Sequence, residues 1–273
     1  MSNQNPYLLG VNQKELQRLQ FQHKVWGEVT YDFWDRLNIQ KGWKCLDAGA
    51  GPGFASMDLL KRVGEEGEVT LVEPSEMYLQ YFDNHVNTNK EFAATNYQLL
   101  NGTVETVVLP EAHYDFIFVR WVIAFVKEPE VFLQHLLKAL KPNGIIAIQD
   151  YYYEGLSLFP KGGAFEGVAD AVREYYYSVG GNPYITGEIP AWFRKYGIDL
   201  VDYTPTARVG NNQSDLMLWG ERFLVPHLQI MADRGIISQT DCSAMIADWE
   251  AHRANPDALF FAPTLMSVGG RKR

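Results

Sequence analysis

Short apolar runs and amphipathic stretches alternate through the middle of the chain. The apolar runs predict five β-strands, over residues 44–48, 69–73, 97–101, 116–120 and 145–149. The spacing of apolar residues between them predicts helices over residues 54–63, 75–84 and 129–140. Because strands that alternate with helices form parallel sheets covered on both faces, this pattern predicts an α/β fold.

The regions on either side of this pattern are predicted to be more helical. Before it, residues 13–26 have the spacing of an amphipathic helix, which Phe33, Trp34 and Leu37 continue. After it, we predict helices over 165–179, 190–196, 216–234 and 239–253 and strands over 199–208 and 258–269. Since no linker rich in Pro, Gly or Ser interrupts the sequence, we predict one domain of four segments: N-terminal helices (1–40), a core (41–150), a cap with the sixth strand (151–257) and a final strand with the tail (258–273).

Composition narrows the classes of partner. The 273 residues include 24 basic and 33 acidic side chains, and the net charge of −9 argues against nucleic-acid binding, which needs a basic surface. No Cys/His spacing resembles a zinc site, so we expect no metal, and Cys45 is expected to be a small buried apolar residue. The sequence has no apolar run of membrane-spanning length and no signal-peptide pattern, which predicts a cytoplasmic protein without membrane contact.

Three glycines at alternate positions follow the first predicted strand. Asp47, Gly49, Gly51 and Gly53 have the spacing Asp-x-Gly-x-Gly-x-Gly and lead directly into a predicted helix. A helix N-terminus offers unpaired N–H groups and a partial positive charge, and glycines let a ligand approach the backbone closely. An acid, Glu73, ends the next apolar run, where it can accept hydrogen bonds from both hydroxyls of a ribose. Together they predict a nucleoside-cofactor site.

The spacing of the glycines separates two classes of cofactor. A dinucleotide fingerprint requires G-x-G-x-x-G, and its third glycine would fall on Phe54 or Ser56 here. The observed spacing instead resembles the first motif of class I S-adenosylmethionine (SAM)-dependent methyltransferases, in particular the small-molecule methyltransferases. Residues 71–77, 101–105, 115–121 and 141–145 resemble the later motifs of that family.

The resemblance implies a three-layer Rossmann-like fold. Its sheet would have seven mostly parallel strands with the last one antiparallel, with N-terminal helices and a helical cap, and residues 41–150 would be the SAM-binding core. The pattern Tyr7, Glu15, Arg18-Leu19, Gln22 resembles an N-terminal helix that folds over the methionine end of SAM. Many relatives have Asp where Thr103 stands, so the hydroxyl of Thr103 or the neighbouring backbone would contact the adenine amino group.

The same resemblance implies a set of cofactor contacts. The implied residues are Tyr7, Gln22, Asp47, Gly49, Ala50, Gly51, Gly53, Glu73, Pro74, Met77, Thr103, Val104, Glu105, Arg120 and Trp121.

Methyl transfer from SAM requires positioning and exclusion of water more than a covalent residue, because the cofactor carries the reactivity. Asp150, directly after the fifth predicted strand, is the candidate base, and Tyr151, Tyr152, Tyr176 and His227 are candidate contacts of a small-molecule acceptor. Two other functions stay open at this point. One is binding of SAM or a related nucleoside without methyl transfer, and the other is a nicotinamide-dependent oxidoreductase.

Overall fold

The structure, a computed structural model, describes residues 11–273. Over this range the chain forms eight α-helices: α1 Gln13–Leu37, α2 Phe54–Val63, α3 Glu76–Thr88, α4 Pro129–Ala139, α5 Val168–Ser178, α6 Ile185–Lys195, α7 Asp215–Asp233 and α8 Gln239–Ala254. The same residues form ten strands: β1 Lys44–Ala48, β2 Glu68–Glu73, β3 Asn96–Asn101, β4 Tyr114–Arg120, β5 Leu140–Tyr152, β6 Ser157–Phe159, β7 Ile198–Thr206, β8 Val209–Asn211, β9 Leu259–Phe261 and β10 Thr264–Lys272.

Seven of these strands form one sheet in the order β3-β2-β1-β4-β5-β10-β7. Six strands are parallel and the last is antiparallel, which confirms the predicted Rossmann-like fold. Asp47 of β1 lies opposite Leu71 of β2 and Phe118 of β4, so the strands are aligned with their carboxyl ends at one edge of the sheet. Ligands of open α/β sheets bind outside that edge, where the order of strands reverses. Here the reversal lies between β1 and β4.

The core of this sheet follows from the apolar runs of its strands. Trp34 of α1 is fully buried, and its ring lies 6.5 Å from the ring of Phe116 and 5.1 Å from that of Phe118. Leu59 and Leu60 of α2 pack in the same cluster. Truncation of a buried Trp to Ala costs about 3–5 kcal/mol, so α1 is an integral part of the fold.

The C-terminal strand differs from the prediction of one strand over residues 258–269. The structure has β9 and β10 there, interrupted at Ala262 and Pro263. Proline has no N–H to donate to a strand ladder, which explains the interruption. β9 pairs antiparallel with β6 and β8 in a separate three-stranded sheet that the sequence analysis did not predict. β10 joins the main sheet.

The described residues form two compact units. The sheet unit contains Trp26–Asp150, Ile185–Thr204 and Met266–Arg273, and the second unit contains residues 11–25 with Tyr151–Tyr184 and Pro205–Leu265. β7 and β10 return to the main sheet and carry α6 with them into the sheet unit. The division of the chain into four segments stays a prediction. Among the described helices, we find none whose length and apolar character would let it cross a membrane.

Candidate functional site

The glycine loop connects β1 to α2 in the sheet unit. Gly49, Gly51 and Gly53 have φ of +79°, +57° and +76°, a left-handed backbone that glycine adopts without steric cost. A Cβ atom at Gly49 would lie 2.5 Å from Val122 Cγ2, and one at Gly53 would overlap the ring of Phe82. A Cβ atom at Gly51 would meet nothing within 4 Å. Packing therefore requires glycine at two positions, while Gly51 faces open space that a ligand can enter.

Glu73 connects this loop to the neighbouring one. Its carboxylate is 8% exposed, and it accepts hydrogen bonds from the N–H of Gly51 (2.9 Å) and from the N–H of Ser75 (2.8 Å). Burial raises the pKa of Glu73, and these two backbone bonds oppose that effect. Each carboxylate oxygen has more than one lone pair, so Glu73 can also accept bonds from ribose hydroxyls. The acid thus supports the loop in addition to its predicted role.

Asp47 lies behind the loop. It is 2% exposed and accepts a hydrogen bond of 2.6 Å from the hydroxyl of Ser56 in α2. Burial raises the pKa of Asp47 to about 6, against the opposing effects of the Ser56 bond and the charge of Arg120. Asp47 therefore ties β1 to α2 through its bond to Ser56. The N–H groups of Gly49 and Ala50 both donate to the carbonyl of Val72, which holds the loop on β2.

The residues after β2 and β3 form the predicted adenine side. Pro74 and Met77 are exposed, with Met77 at 39%, so Met77 is not a core residue of α3. Thr103 and Glu105 are also exposed, whereas Val104 is buried. Both groups of residues lie at the carboxyl edge of the sheet. Pro74 directly follows Glu73, and Asn101, two residues before Thr103, lies opposite Glu73 in the strand register.

Arg120 is the last residue of β4, and Trp121 follows it at the same edge. Trp121 has φ +59°, which is rare outside glycine and concentrates at functional sites. The guanidinium of Arg120 lies 4.6 Å from the centre of the Trp121 ring. Asp150, the candidate base, was expected directly after the fifth strand, but β5 extends to Tyr152 and includes it. Its side chain is buried, and its Oδ2 accepts a hydrogen bond of 3.2 Å from the N–H of Ala124. That bond gives Asp150 a structural role.

These features fit a nucleoside cofactor. The open space at Gly51 admits a ligand to the backbone, and Gly53 leaves the N-terminus of α2 without a side-chain cap. Helix N-termini favour electronegative groups. Glu73 supplies acceptors for hydroxyl groups, and Pro74 and Met77 supply exposed apolar surface. Within the described residues, no group of three or more His, Cys, Asp or Glu side chains could hold a metal ion.

The second unit contains a cluster of aromatic side chains, which we call the aromatic cluster: Tyr151, Trp219, Phe223 and His227. The Trp219 and Phe223 rings are stacked at 5.3 Å, and the Tyr151 ring lies 5.8 Å from Trp219. The His227 ring is 4.6 Å from Phe223. Burial lowers the pKa of His227 to about 4, and the charge of Arg18 acts in the same direction. The ring is therefore neutral at pH 7.

A buried ion pair on α1 borders the aromatic cluster. Arg18 donates to both carboxylate oxygens of Glu15, at 2.8 and 2.7 Å, and its guanidinium lies 5.3 Å from the Phe223 ring. The side-chain oxygen of Gln22 accepts from Arg18 (2.8 Å) and from the indole N–H of Trp219 (3.1 Å). These bonds place Gln22 in the second unit. Tyr7 lies outside the described residues.

The other two candidate acceptor contacts lie nearby in the same unit. The Tyr176 hydroxyl is 3.0 Å from the hydroxyl of Tyr153, and the rings of Tyr151 and Tyr153 are 5.9 Å apart. The Tyr152 ring packs against Tyr184 at 5.1 Å. Tyr151 and His227 thus share one cluster, and Tyr176 joins it through Tyr153.

Sequence reasoning missed several residues that build these two sites. Ser56 and Phe82, which fix the glycine loop, carry no motif signal of their own. Trp219 and Phe223 had a signal, because with His227 they stand four residues apart on a predicted helix and so share one face.

Comparison with known proteins agrees with the glycine-loop geometry. Residues 39–175, half of the chain, match the family described as "Methyltransferase domain". The chain belongs to the methyltransferase domain family. Among curated proteins it is similar to the demethylmenaquinone methyltransferase of Staphylococcus aureus (strain MRSA252), with 29% identity over 139 residues, which are 50% of this chain and 54% of the relative. The matched part of this methyltransferase-family chain thus spans about half the length of its curated relatives.

Two solved structures share the fold of this methyltransferase-family chain. The [4+2]-cyclase SpnF is 13% identical with a TM-score of 0.56, covering 90% of this chain and 80% of that one. A putative sarcosine dimethylglycine methyltransferase from Galdieria sulphuraria is 15% identical with a TM-score of 0.56, covering 90% of this chain and 83% of that one. At these identities the likeness concerns the fold.

Proposed function

We propose that this chain transfers a methyl group from SAM to a small-molecule acceptor. The observation that carries the proposal is the open backbone at Gly51, held beside Glu73 by a hydrogen bond of 2.9 Å, in a chain of the methyltransferase domain family. The net charge of −9 favours a small molecule over a nucleic acid as the acceptor.

The cofactor residues have distinct roles in this proposal. Glu73 accepts hydrogen bonds from the ribose, Gly51 allows close approach, and Pro74 with Met77 packs against the base. Thr103 contacts the edge of the adenine, and Arg120 and Trp121 bind the amino-acid end. When bound, SAM supplies an electrophilic methyl group on a sulfonium, and the protein supplies orientation and a dry environment.

On the acceptor side, we assign contacts to Tyr151, Tyr152, Tyr176 and His227. The carbonyl of Phe223 can only accept, so Nδ1 of the neutral His227 ring donates to it. This tautomer leaves the lone pair of Nε2 to accept a hydrogen bond from an acceptor O–H or N–H. A His227→Gln variant should lower turnover while SAM affinity stays within about threefold, a change of less than one kcal/mol.

Asp150 is retained as a second candidate base. Asp150→Asn keeps an oxygen that can accept from Ala124 but removes the charge. A base role requires turnover to fall at unchanged thermal stability. Equal loss of stability and turnover assigns Asp150 to the fold alone.

The experiment that tests the function has two stages. Binding of SAM and S-adenosylhomocysteine (SAH) is measured by calorimetry, and a ligand at a hundred times its Kd should add about 2.7 kcal/mol of stability. Methyl-labelled SAM is then incubated with the protein and fractionated metabolite pools, and labelled products are identified by mass spectrometry. A melting temperature that responds to NAD and not to SAM would contradict the proposal.

A second candidate function is SAM binding without methyl transfer. The [4+2]-cyclase SpnF shares the fold, so the fold by itself does not require methyl transfer. A chain that binds SAM tightly but converts none of it to SAH with any metabolite fraction would indicate this second function.

A further inference from the structure

A chain of four hydrogen-bonded side chains crosses the sheet unit and ends at Arg120. Nη1 of Arg120 donates to the Thr30 hydroxyl at 3.2 Å, Thr30 donates to Oε1 of Gln149 at 2.8 Å, and Nε2 of Gln149 donates to the Ser267 hydroxyl at 3.0 Å. Thr30, Gln149 and Ser267 are buried. The chain links β10 and β5 through α1 to the end of β4.

The direction of every bond in this chain is set by Arg120. A guanidinium has donors and no acceptor, so the Thr30 oxygen must accept from it and the Thr30 proton must point elsewhere. The Oε1 atom of Gln149 at 2.8 Å is closer to that hydroxyl than the carbonyl of Trp26 at 3.4 Å. Because the side-chain oxygen of Gln149 accepts from Thr30, its NH2 group is the one that donates to Ser267. Each of the three bonds thus has one direction, and together they restrict the rotation of the side chains that make them.

Gln149 also fixes the residue after Arg120. Its carbonyl accepts the N–H of Trp121 at 2.9 Å, and Arg120 lies opposite Gln149 in the strand register. Trp121 has a left-handed backbone, and its ring lies under the guanidinium of Arg120. The backbone of Gln149 therefore holds the ring, and its side chain, through Thr30, holds the guanidinium.

We propose that Thr30, Gln149 and Ser267 are positioning residues that hold the Arg120 guanidinium for the carboxylate of the cofactor's amino-acid end. The inference rests on the proposed function, in which Arg120 contacts SAM. A guanidinium binds a carboxylate through two parallel hydrogen bonds, and this geometry is lost when the group can rotate. A chain of buried hydrogen bonds restricts that rotation before the ligand arrives, which lowers the entropy cost of binding.

The test compares two ligands that differ at the amino-acid end. SAH carries a carboxylate, and 5′-methylthioadenosine has the same nucleoside without it. Thr30→Val, which keeps the shape and removes the hydroxyl, should weaken SAH binding about tenfold, as expected for a hydrogen bond to a charged group. Methylthioadenosine binding should stay within about twofold, and Thr30→Ser, which keeps a hydroxyl, should restore SAH binding.

A matched control is available in the same unit. Thr186 is buried like Thr30, and within the described residues its hydroxyl has no hydrogen-bond partner. Thr186→Val should leave the SAH-to-methylthioadenosine ratio unchanged. Ser267→Ala, at the far end of the chain, should lower SAH affinity less than Thr30→Val does, and it serves as the small-residue variant if Thr30→Val does not fold.

A double-mutant cycle with Arg120→Met separates the inference from the proposed function. The Thr30→Val effect on SAH should disappear once Arg120 is replaced, because the positioning residues then have nothing to hold. Equal weakening of both ligands by Thr30→Val, or a full effect in the Arg120→Met background, would overturn the positioning role. Unchanged SAH binding in Arg120→Met would overturn the Arg120 contact itself, and failure of the unmodified protein to bind either ligand would overturn the proposed function.

Discussion

The glycine loop of the sheet unit and the aromatic cluster of the second unit are built in opposite ways. The loop comes from consecutive residues, and its form depends on side chains being absent at Gly49, Gly51 and Gly53. The aromatic cluster comes from distant segments of the chain, and it depends on large side chains that stack on one another. Adding atoms should therefore damage the loop, and removing atoms should damage the cluster.

The acidic side chains of the two regions also have different kinds of partner. In the loop, Glu73 and Asp47 are bonded to backbone N–H groups and to a hydroxyl. Beside the aromatic cluster, Glu15 is paired directly with Arg18. Removing one partner of a buried ion pair leaves an uncompensated charge, whereas a carboxylate with neutral partners responds chiefly to pH.

The first prediction compares two glycines of the same loop. Gly53→Ala should lower the free energy of unfolding by about 2–5 kcal/mol, because the new Cβ overlaps Phe82 on a left-handed backbone. Gly51→Ala should cost only about 1–2 kcal/mol, from the backbone alone, yet cause the larger loss of SAH affinity. Urea denaturation and calorimetry on both variants measure this. Similar stability losses at the two positions would contradict the packing difference.

The second prediction concerns pH and Asp47. Its pKa of about 6 in the folded protein lies above the ordinary 3.8, so its contribution to stability is present below pH 3.8 and is lost as pH rises through 6. The difference corresponds to about 3 kcal/mol. Asp47→Asn does not titrate, so its stability relative to the unmodified protein should rise by about 3 kcal/mol between pH 3 and pH 7.

Ser56→Ala provides the control for this pH effect. It removes the hydrogen bond that favours the charged form of Asp47, so the pKa of Asp47 should rise further. Denaturation curves at a series of pH values, with the carboxyl resonance followed by NMR, measure both variants. If the stability difference between Asp47→Asn and the unmodified protein does not change with pH, the pKa of Asp47 is not raised in the folded protein.

The third prediction tests the double role of Glu73. Glu73→Ala removes the acceptor for two backbone N–H groups, and it should lower stability by about 2 kcal/mol and SAH affinity about tenfold. Glu76→Ala, an exposed acid in the same region, is the matched control for loss of charge. If Glu73→Ala lowers SAH affinity but leaves stability unchanged, Glu73 acts only on the ligand. Its hydrogen bonds to the backbone then contribute nothing to the stability of the protein.

The smallest expected effect is in the second unit. Tyr176→Phe removes the hydroxyl bonded to Tyr153 and should cost about 1 kcal/mol of stability. If Tyr176 contacts the acceptor, turnover should fall while SAH affinity is unchanged. Tyr177→Phe is the control, because it makes the same chemical change at the neighbouring residue, which is 54% exposed. Unchanged turnover per folded molecule would limit Tyr176 to packing.

The main elements and the glycine loop of the sheet unit could be predicted from local sequence. β1 and α2 begin and end where the apolar pattern placed them, and the loop between them could be recognised from the spacing of its glycines. These features depend on interactions over a few residues, namely side-chain periodicity and the conformations open to glycine. The same local rules predicted Glu73 at the end of β2.

Tertiary structure alone decided which distant residues meet. The sequence shows Tyr151, Trp219 and Phe223 as three aromatic positions, and it does not show that they stack. It likewise contains Thr30, Gln149 and Ser267 without indicating that they form one hydrogen-bonded chain to Arg120. Such contacts depend on how the strands are ordered and on which helices return to the sheet. A local pattern of polar and apolar residues constrains each element, and the path of the whole chain determines its neighbours.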